Sequence, residues 1–125
     1  MKTVTTLCFV LALALNSGLQ AQESLPGDEN QPVSPEYLDK LINLCEDCHG
    51  PAGASVRDDV PAIAGRPADA LMAELERFYF YERHCPEVPV EGDAAAGNMS
   101  MCDVTNQMTR AEAIALARYF ETGQR

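Results

Sequence analysis

Apolar residues along the chain recur in patterns that indicate three amphipathic helices joined by long irregular segments. The first helix is predicted over residues 35–48, because Ser34 and Pro35 are typical of a helix start and Gly50 of a helix end. Its apolar positions follow three- and four-residue steps, as one buried face of a helix requires. That predicted face comprises Tyr37, Leu41, Leu44, Cys45 and Cys48, with Leu38 and Ile42 beside it.

Two further helices are predicted in the second half of the chain. One spans residues 67–82, and the other follows the capping box at residues 109–112 and ends near Gly123. Their predicted buried side chains are Leu71, Met72, Leu75, Phe78 and Tyr79, then Ala113, Leu116, Ala117 and Phe120. No sustained hydrophobic period is present in residues 51–66 or 84–108, so both segments are predicted to be irregular. Irregular segments of this length are uncommon in a small domain, and a bound prosthetic group around which they fold would explain them. No convincing strand pattern is present, so an all-α fold is predicted.

The N-terminal residues differ in composition from the rest of the chain. Residues 1–21 contain Lys2, an apolar run and a small residue at Ala21, in the order typical of a secretory signal peptide. The run is shorter than the roughly 20 residues that a membrane-spanning helix needs. We therefore predict cleavage near Ala21, export to the bacterial periplasm and no stable membrane anchor. A flexible acidic arm over residues 22–34 and one domain over residues 35–125 should follow.

The net charge of the chain limits the classes of molecule that it is expected to bind. The 125 residues include 19 Asp and Glu against nine Lys and Arg, a net charge of −10. Removal of residues 1–21 leaves eight Lys and Arg against the same 19 acids, a charge of −11. This excess argues against nucleic acid and anionic membranes, and it favours a partner protein with a basic docking face. The adjacent pairs Glu46-Asp47 and Asp58-Asp59 are predicted to be solvated surface.

The segment Cys45-Glu46-Asp47-Cys48-His49 has the spacing C-x-x-C-H, which is typical of covalent c-type haem attachment. Residues three apart on a helix share a face, so both thiols can add to the two vinyl groups on one porphyrin edge. His49 then lies where its imidazole can reach the iron.

Three other interpretations of the cysteines stay open at this point. A thioredoxin-like site lies between a strand and a helix, whereas this motif ends a predicted helix. A zinc site could combine Cys45 and Cys48 with Cys85 and Cys102, although the second pair is too far apart for the usual spacing. Two structural disulfides would suit a secreted chain, but they leave His49 without a role.

Beyond the motif, the chain resembles the class I c-type cytochromes. Within them it is similar to the small bacterial branch that includes cytochrome c-four type domains and the haem subunit of flavocytochrome c sulfide dehydrogenase. The resemblance covers about residues 36–122 and rests on CEDCHGPAGAS, VPAIAG, a helix with LERF ahead of an arginine, and LARYF. It implies the class I cytochrome c fold, with three main helices and long loops around one covalently bound haem c.

The resemblance also implies roles for residues on the histidine side of the haem. Pro61 would offer its backbone carbonyl to the second ring nitrogen of His49 and so fix the imidazole as a ligand. Tyr119 would pack the last helix against the first. Arg57 and Arg66 flank this loop and could each pair with a haem propionate or with a surface acid.

On the opposite side, the resemblance implies Met101 as the sixth ligand to iron, with Met99 as the alternative and Met108 in the core. A thioether favours Fe(II) and raises the potential. His84 could ligate instead and give a lower potential, but a solvent-facing loop histidine is the simpler interpretation.

Cys85 and Cys102 depart from the commonest pattern of this family. They lie at the two ends of the predicted distal loop, where a disulfide would hold the Met101 segment in place. Such a bond would stabilise the domain by roughly 3 kcal/mol. The alternative is two free thiols.

The function implied by the resemblance is periplasmic electron transfer by a monohaem carrier that cycles between Fe(III) and Fe(II), rather than enzymatic catalysis. Its redox partner would present a basic face, and association would slow with salt. An alternative is a haem-bearing subunit bound permanently to a flavin or molybdenum dehydrogenase. A third is a ligand-binding or catalytic haem with an open or weakly held sixth position.

Overall fold

The computed structural model describes residues 24–90 and 97–124. Within these residues the structure is mostly helical, with a short 3-10 turn and one two-stranded antiparallel ladder. The elements in chain order are α1 (Pro35–His49), the 3-10 turn (Pro51–Gly53), α2 (Ala68–Tyr79), β1 (Val88–Pro89), β2 (Asn98–Met99), α3 (Met101–Thr105) and α4 (Arg110–Thr122). The prediction of a helical fold is confirmed, with α3 and the ladder in addition. The predicted signal peptide lies outside the described residues, and no helix within them has the length and apolarity to cross a membrane.

Helix α1 has the ends that its local sequence predicts. The Ser34 hydroxyl accepts a hydrogen bond from the Tyr37 backbone N–H at 3.3 Å, which caps the first turn. Gly50 takes a positive φ of 76°, and its N–H donates to the Glu46 carbonyl at 2.9 Å. The helix therefore ends at His49, one residue beyond the prediction, and places that histidine on the last turn.

The predicted buried face of α1 is wrong in part. Ile42 is fully buried at 0% exposure, whereas Tyr37 and Leu44 are 45% and 39% exposed. Ile42 belongs to the apolar cluster to which α4 contributes Ala113 and Leu116. The apolar residues of α1 form two adjoining stripes, one with Ile42 and one with Tyr37 and Leu44. The position of α4 decides which stripe is buried.

Helix α4 forms as predicted. Both hydrogen bonds of the capping box join Thr109 and Glu112, and Gly123 ends the helix in the left-handed conformation. The four side chains predicted to be buried there are buried: Ala113, Leu116, Ala117 and Phe120. Helix α2 ends three residues before its predicted limit, because the chain soon turns away through Tyr81, which has a positive φ of 56°.

The N-terminal segment contributes to the core. The arm predicted over residues 22–34 contains a buried residue, Leu25, which is 2% exposed and belongs to the main apolar cluster. The Pro26 carbonyl accepts a hydrogen bond from the Arg110 backbone N–H at 2.7 Å, and Glu29 pairs with the Arg110 guanidinium at 3.1 Å. One apolar residue among polar ones shows no period, so the sequence pattern could not reveal this contact.

Residues 84–108, predicted to be irregular, contain both strands and α3. Val88 pairs with Met99 in the short ladder. The next residue, Ser100, forms a complete capping box with Asp103 and starts α3. A helix of five residues is too short to show a hydrophobic period. The Ser-x-x-Asp spacing was nevertheless a readable signal for its start.

The predicted Cys85–Cys102 disulfide is present, with Cα atoms 5.8 Å apart. It joins the segment after α2 to α3, directly beside Met101. Cys102 is buried at 3% exposure, so this half of the bond is part of the packed interior.

The loop after α1 is held close to α4 through Gly53. The Gly53 carbonyl accepts hydrogen bonds from the backbone N–H groups of Ile63 and Ala64 at 2.8 and 3.1 Å. A Cβ at Gly53 would lie 2.7 Å from Ile63 Cγ1 and 2.8 Å from Phe120 Cδ1. Only glycine permits this close approach, which keeps the loop that contains Pro61 beside the end of α1.

Candidate functional site

A cavity of about 210 Å³ opens between the end of α1, the loop that follows it, α2, α3 and α4. Most of its wall consists of apolar side chains of leucine, isoleucine, valine, proline and phenylalanine. The wall also includes Cys45, Cys48, His49, Asp59, Pro61, Arg66, Glu74, Arg83, His84, Met99, Met101 and Met108. The two cysteines, His49, Pro61, Arg66 and every candidate for the sixth ligand therefore lie on one cavity. Arg57, the other arginine suggested as a propionate partner, does not line it and donates instead to Asp59 and to the Pro89 carbonyl.

His49 has a defined orientation on this wall. Its side chain is buried, and its Nδ1 lies 2.7 Å from the Pro61 carbonyl oxygen. Because a carbonyl oxygen only accepts hydrogen bonds, Nδ1 carries the proton and Nε2 keeps its lone pair. The Pro61 contact implied by the resemblance is thus present.

Burial also sets the charge of this imidazole. Burial lowers the pKa of His49 below its ordinary value, and the hydrogen bond to the Pro61 carbonyl opposes part of that effect. The ring is therefore neutral at pH 7. A neutral imidazole that is fixed through Nδ1 and has a lone pair at Nε2 has the form of a metal ligand.

Cys45 and Cys48 are half-buried thiols on the last turn of α1. Burial raises the pKa of Cys45 to about 12, and the charges of Glu46, Cys48 and Asp47 act in the same direction. The negative end of the helix dipole further disfavours a thiolate at this position. Cys45 is therefore a protonated thiol at neutral pH, unlike the low-pKa thiolate of a thioredoxin-like site.

The zinc and double-disulfide interpretations do not agree with the cysteine positions. Cys85 and Cys102 are bonded to each other, which removes two of the four thiolates that the zinc site would need. In residues 24–90 and 97–124, no group of three or more His, Cys, Asp or Glu side chains could hold a metal ion. Cys45 and Cys48 are thiols rather than a second disulfide.

Three methionines and a second histidine share the cavity wall with His49. Met101 is the first residue of α3, whereas Met99 lies in β2. Met108 is buried and belongs to the main apolar cluster, as predicted. His84 is exposed, as expected for a loop histidine, yet it also contributes to the wall. The fold thus brings all the alternatives for a sixth ligand to the same cavity.

Glu46 has a structural role that the sequence did not reveal. Its Oε1 accepts hydrogen bonds from the Ala52 backbone N–H at 2.9 Å and from the Tyr119 hydroxyl at 3.1 Å. The prediction that Glu46 is only solvated surface is therefore wrong, because its carboxylate joins α1, the following turn and α4. The predicted packing of Tyr119 against the first helix is confirmed by this contact.

Comparisons of the chain with protein-family models, with curated proteins and with solved structures find no match.

Proposed function

We propose that the chain is a monohaem c-type cytochrome of class I fold that transfers electrons in the periplasm. The observation that carries this proposal is the convergence of Cys45, Cys48 and a buried, neutral His49 on one apolar cavity. Bound haem would supply one-electron chemistry, with iron alternating between Fe(III) and Fe(II).

The residues present fit covalent attachment of haem c. The two thiols are three positions apart on one helical turn, so they face the same side of the cavity. The high pKa keeps the Cys45 sulfur protonated, and addition across a vinyl group requires a thiol hydrogen as well as the sulfur. The apolar wall would exclude water from a porphyrin ring. Pro61 would hold His49 in the orientation of an axial ligand.

Met101 is the proposed sixth ligand. It lies on the cavity wall at the start of α3, where the Ser100 capping box and the adjacent Cys102 disulfide restrain its backbone. A thioether ligand would favour Fe(II) and raise the potential. Met99 has no such support from a helix, although it also reaches the wall.

A basic redox partner agrees with the charge of the chain. The excess of acidic residues favours association with a positively charged protein face, and this attraction weakens as salt screens it. The docking surface would need no substrate pocket, because only electrons pass between the two proteins.

Export of the protein in a host that attaches c-type haem tests the proposal. Denaturing mass spectrometry should show one haem retained on the polypeptide, and the double variant Cys45→Ala/Cys48→Ala should retain none. Loss of haem from the wild type under denaturing conditions would contradict covalent attachment.

The sixth ligand is tested with a matched pair of variants, Met101→Leu and Met99→Leu. In the ferric protein, the weak near-infrared band of sulfur-to-iron charge transfer should disappear only in Met101→Leu. Its disappearance only in Met99→Leu would reassign the ligand, and its absence from the wild type would favour His84 or an open site.

A further inference from the structure

Two separate segments border the cavity, the loop after the 3-10 turn and the segment with the β ladder. The loop contains Pro61, whose carbonyl accepts the hydrogen bond that orients His49. The ladder segment contributes Val88 and Met99 to the wall, and it leads to Met101 at the start of α3. Helix α2 lies between the two segments in sequence. The backbone alone therefore does not join the loop that orients His49 to the segment with the methionines.

The side chain of Arg57 joins these two segments. Its Nη1 donates a hydrogen bond to the Pro89 carbonyl of β1 at 3.2 Å, between residues 32 positions apart. Its Nε and Nη2 donate to the two carboxylate oxygens of Asp59 at 2.9 and 2.7 Å. The Arg57 side chain is only 15% exposed. The paired bonds to Asp59 fix the plane of the guanidinium, so that Nη1 is held toward β1.

The bond to Pro89 bears on the backbone next to Met101. Pro89 follows Val88, which pairs with Met99 of β2. The next residue, Ser100, caps α3, and Met101 is the first residue of that helix. A ladder with two residues in each strand is not stable by its own hydrogen bonds. A contact that holds β1 in place therefore also restrains the start of α3.

The disulfide does not supply the same restraint. Cys85 lies three positions before β1, and Cys102 directly follows Met101. Their bond ties the two ends of the ladder segment to each other, but it makes no link to the loop that contains Pro61. Arg57 provides such a link.

We propose that Arg57 is a positioning residue for Met101. Its hydrogen bond to Pro89 holds the β ladder against the loop that orients His49, and so it slows the release of Met101 from the iron. The inference rests on the proposed function, under which Met101 binds iron. Arg57 does not line the cavity, so it acts through the ladder rather than by contact with the group that occupies the cavity.

The test measures how fast imidazole replaces Met101 in the ferric, haem-loaded protein. At saturating imidazole, the rate at which the sulfur-to-iron band disappears equals the rate at which the methionine leaves the iron. Arg57→Gln is shorter and uncharged, so it cannot bond to Asp59 and Pro89 together. It should raise this rate about fivefold or more, as expected for loss of a hydrogen bond from a charged donor. An unchanged rate would overturn the assignment.

Arg118→Gln controls for the loss of charge. Arg118 is an exposed arginine of α4 that is not on the cavity wall. At about pH 8 imidazole is largely neutral, so the net charge of the protein has little effect on its approach. Arg118→Gln should therefore release methionine at the wild-type rate. Equal acceleration in Arg57→Gln and Arg118→Gln would show that charge alone is responsible, which overturns the assignment.

Ser34→Ala controls for a general loss of stability. It removes the cap of α1, which is remote in sequence from the ladder, and should lower the urea midpoint. A merely structural role of Arg57 would make both variants less stable without a specific change in ligand release. Faster release in Arg57→Gln but not in Ser34→Ala supports the assignment. Equal acceleration in the two variants at matched stability would overturn it.

A wild-type measurement covers the case in which Arg57→Gln does not assemble. In the ferrous, diamagnetic protein, NMR cross-peaks should connect the side-chain protons of Arg57 with protons of Pro89 or Val90. Their absence would show that haem-loaded protein lacks the contact, and it would overturn the assignment.

These outcomes are separable from failure of the proposed function. Absence of covalent haem from the wild type defeats both the proposed function and this assignment. Retained haem with methionine release at the wild-type rate in Arg57→Gln defeats the assignment alone.

Discussion

Breaking the Cys85–Cys102 disulfide should destabilise the haem-loaded domain by about 3 kcal/mol. The bond closes a loop between residues 17 positions apart, and a loop of that length restrains the unfolded chain by roughly this free energy. Reduction with a dithiol reagent breaks the bond and leaves both sulfur atoms in place, so no cavity forms at the buried Cys102. The loss should therefore report loop closure rather than packing.

The local loss of stability after the disulfide is broken should be largest around Met101. Helix α3 has five residues and the β ladder has two residues in each strand, so neither is stable by its own hydrogen bonds. Without the disulfide, the segment depends on the Ser100 capping box and on contacts with its neighbours. In the ferric state, a weaker sulfur-to-iron band in the double variant Cys85→Ala/Cys102→Ala than in the wild type would report release of Met101.

Urea unfolding followed by far-UV circular dichroism measures the loss in the free energy of unfolding of the whole domain. The iron is kept ferrous in every sample. For an m-value of about 2 kcal/mol/M, the midpoint should fall by roughly 1.5 M. The double variant Cys85→Ala/Cys102→Ala should lose at least as much stability, because it also removes the buried Cys102 sulfur, and the reductant should not affect it further. A change below about 1 kcal/mol on reduction of the wild type would refute the loop-closure argument.

Three further predictions follow from local geometry. Gly53→Ala and Gly65→Ala both place alanine at a positive φ, but only at Gly53 would the new methyl collide with neighbours. Gly65→Ala should therefore cost about 1 kcal/mol and Gly53→Ala at least ~1 kcal/mol more in urea unfolding; equal losses would contradict this. Ser100→Ala removes the cap of α3 and should cost about 1 kcal/mol, whereas an unchanged midpoint would show that the cap contributes nothing. The hydrogen bond from Arg57 holds the pKa of Asp59 below its ordinary value, so this pair stabilises the fold above the ordinary carboxyl pKa and stops doing so as the pH falls through the lowered one. Arg57→Gln should raise the Asp59 pKa measured by NMR, and an unchanged value would remove the guanidinium as its cause.

Local signals in the sequence were sufficient for the ends of the long helices. Ser34 and Thr109 form the caps that their residue types predicted, and Gly50 and Gly123 stop the chain with positive φ. These features depend on hydrogen bonds between residues three or four positions apart, so the sequence around each one contains the necessary information. The spacing of the C-x-x-C-H motif on one helical turn is determined in the same way.

Local signals were insufficient where burial depends on distant residues. Leu25 is isolated among polar residues, and it is buried only because the N-terminal segment lies against the start of α4. Similarly, Ile42 is covered and Leu44 faces the cavity because of where α4 crosses α1. The spacing of apolar residues identifies the apolar face of a helix, but it gives no information on where the partner helix packs against that face.

The sequence by itself determined the main helices, the pairing of Cys85 with Cys102 and the set of candidate ligands. Only the tertiary structure decided that both thiols, His49 and the methionines share one cavity, that Pro61 reaches His49, and that Arg66 lies on the same wall. The physical reason is distance along the chain. Helix ends form from neighbours in sequence, whereas the cavity is built by loops and helices that meet only when the chain has folded.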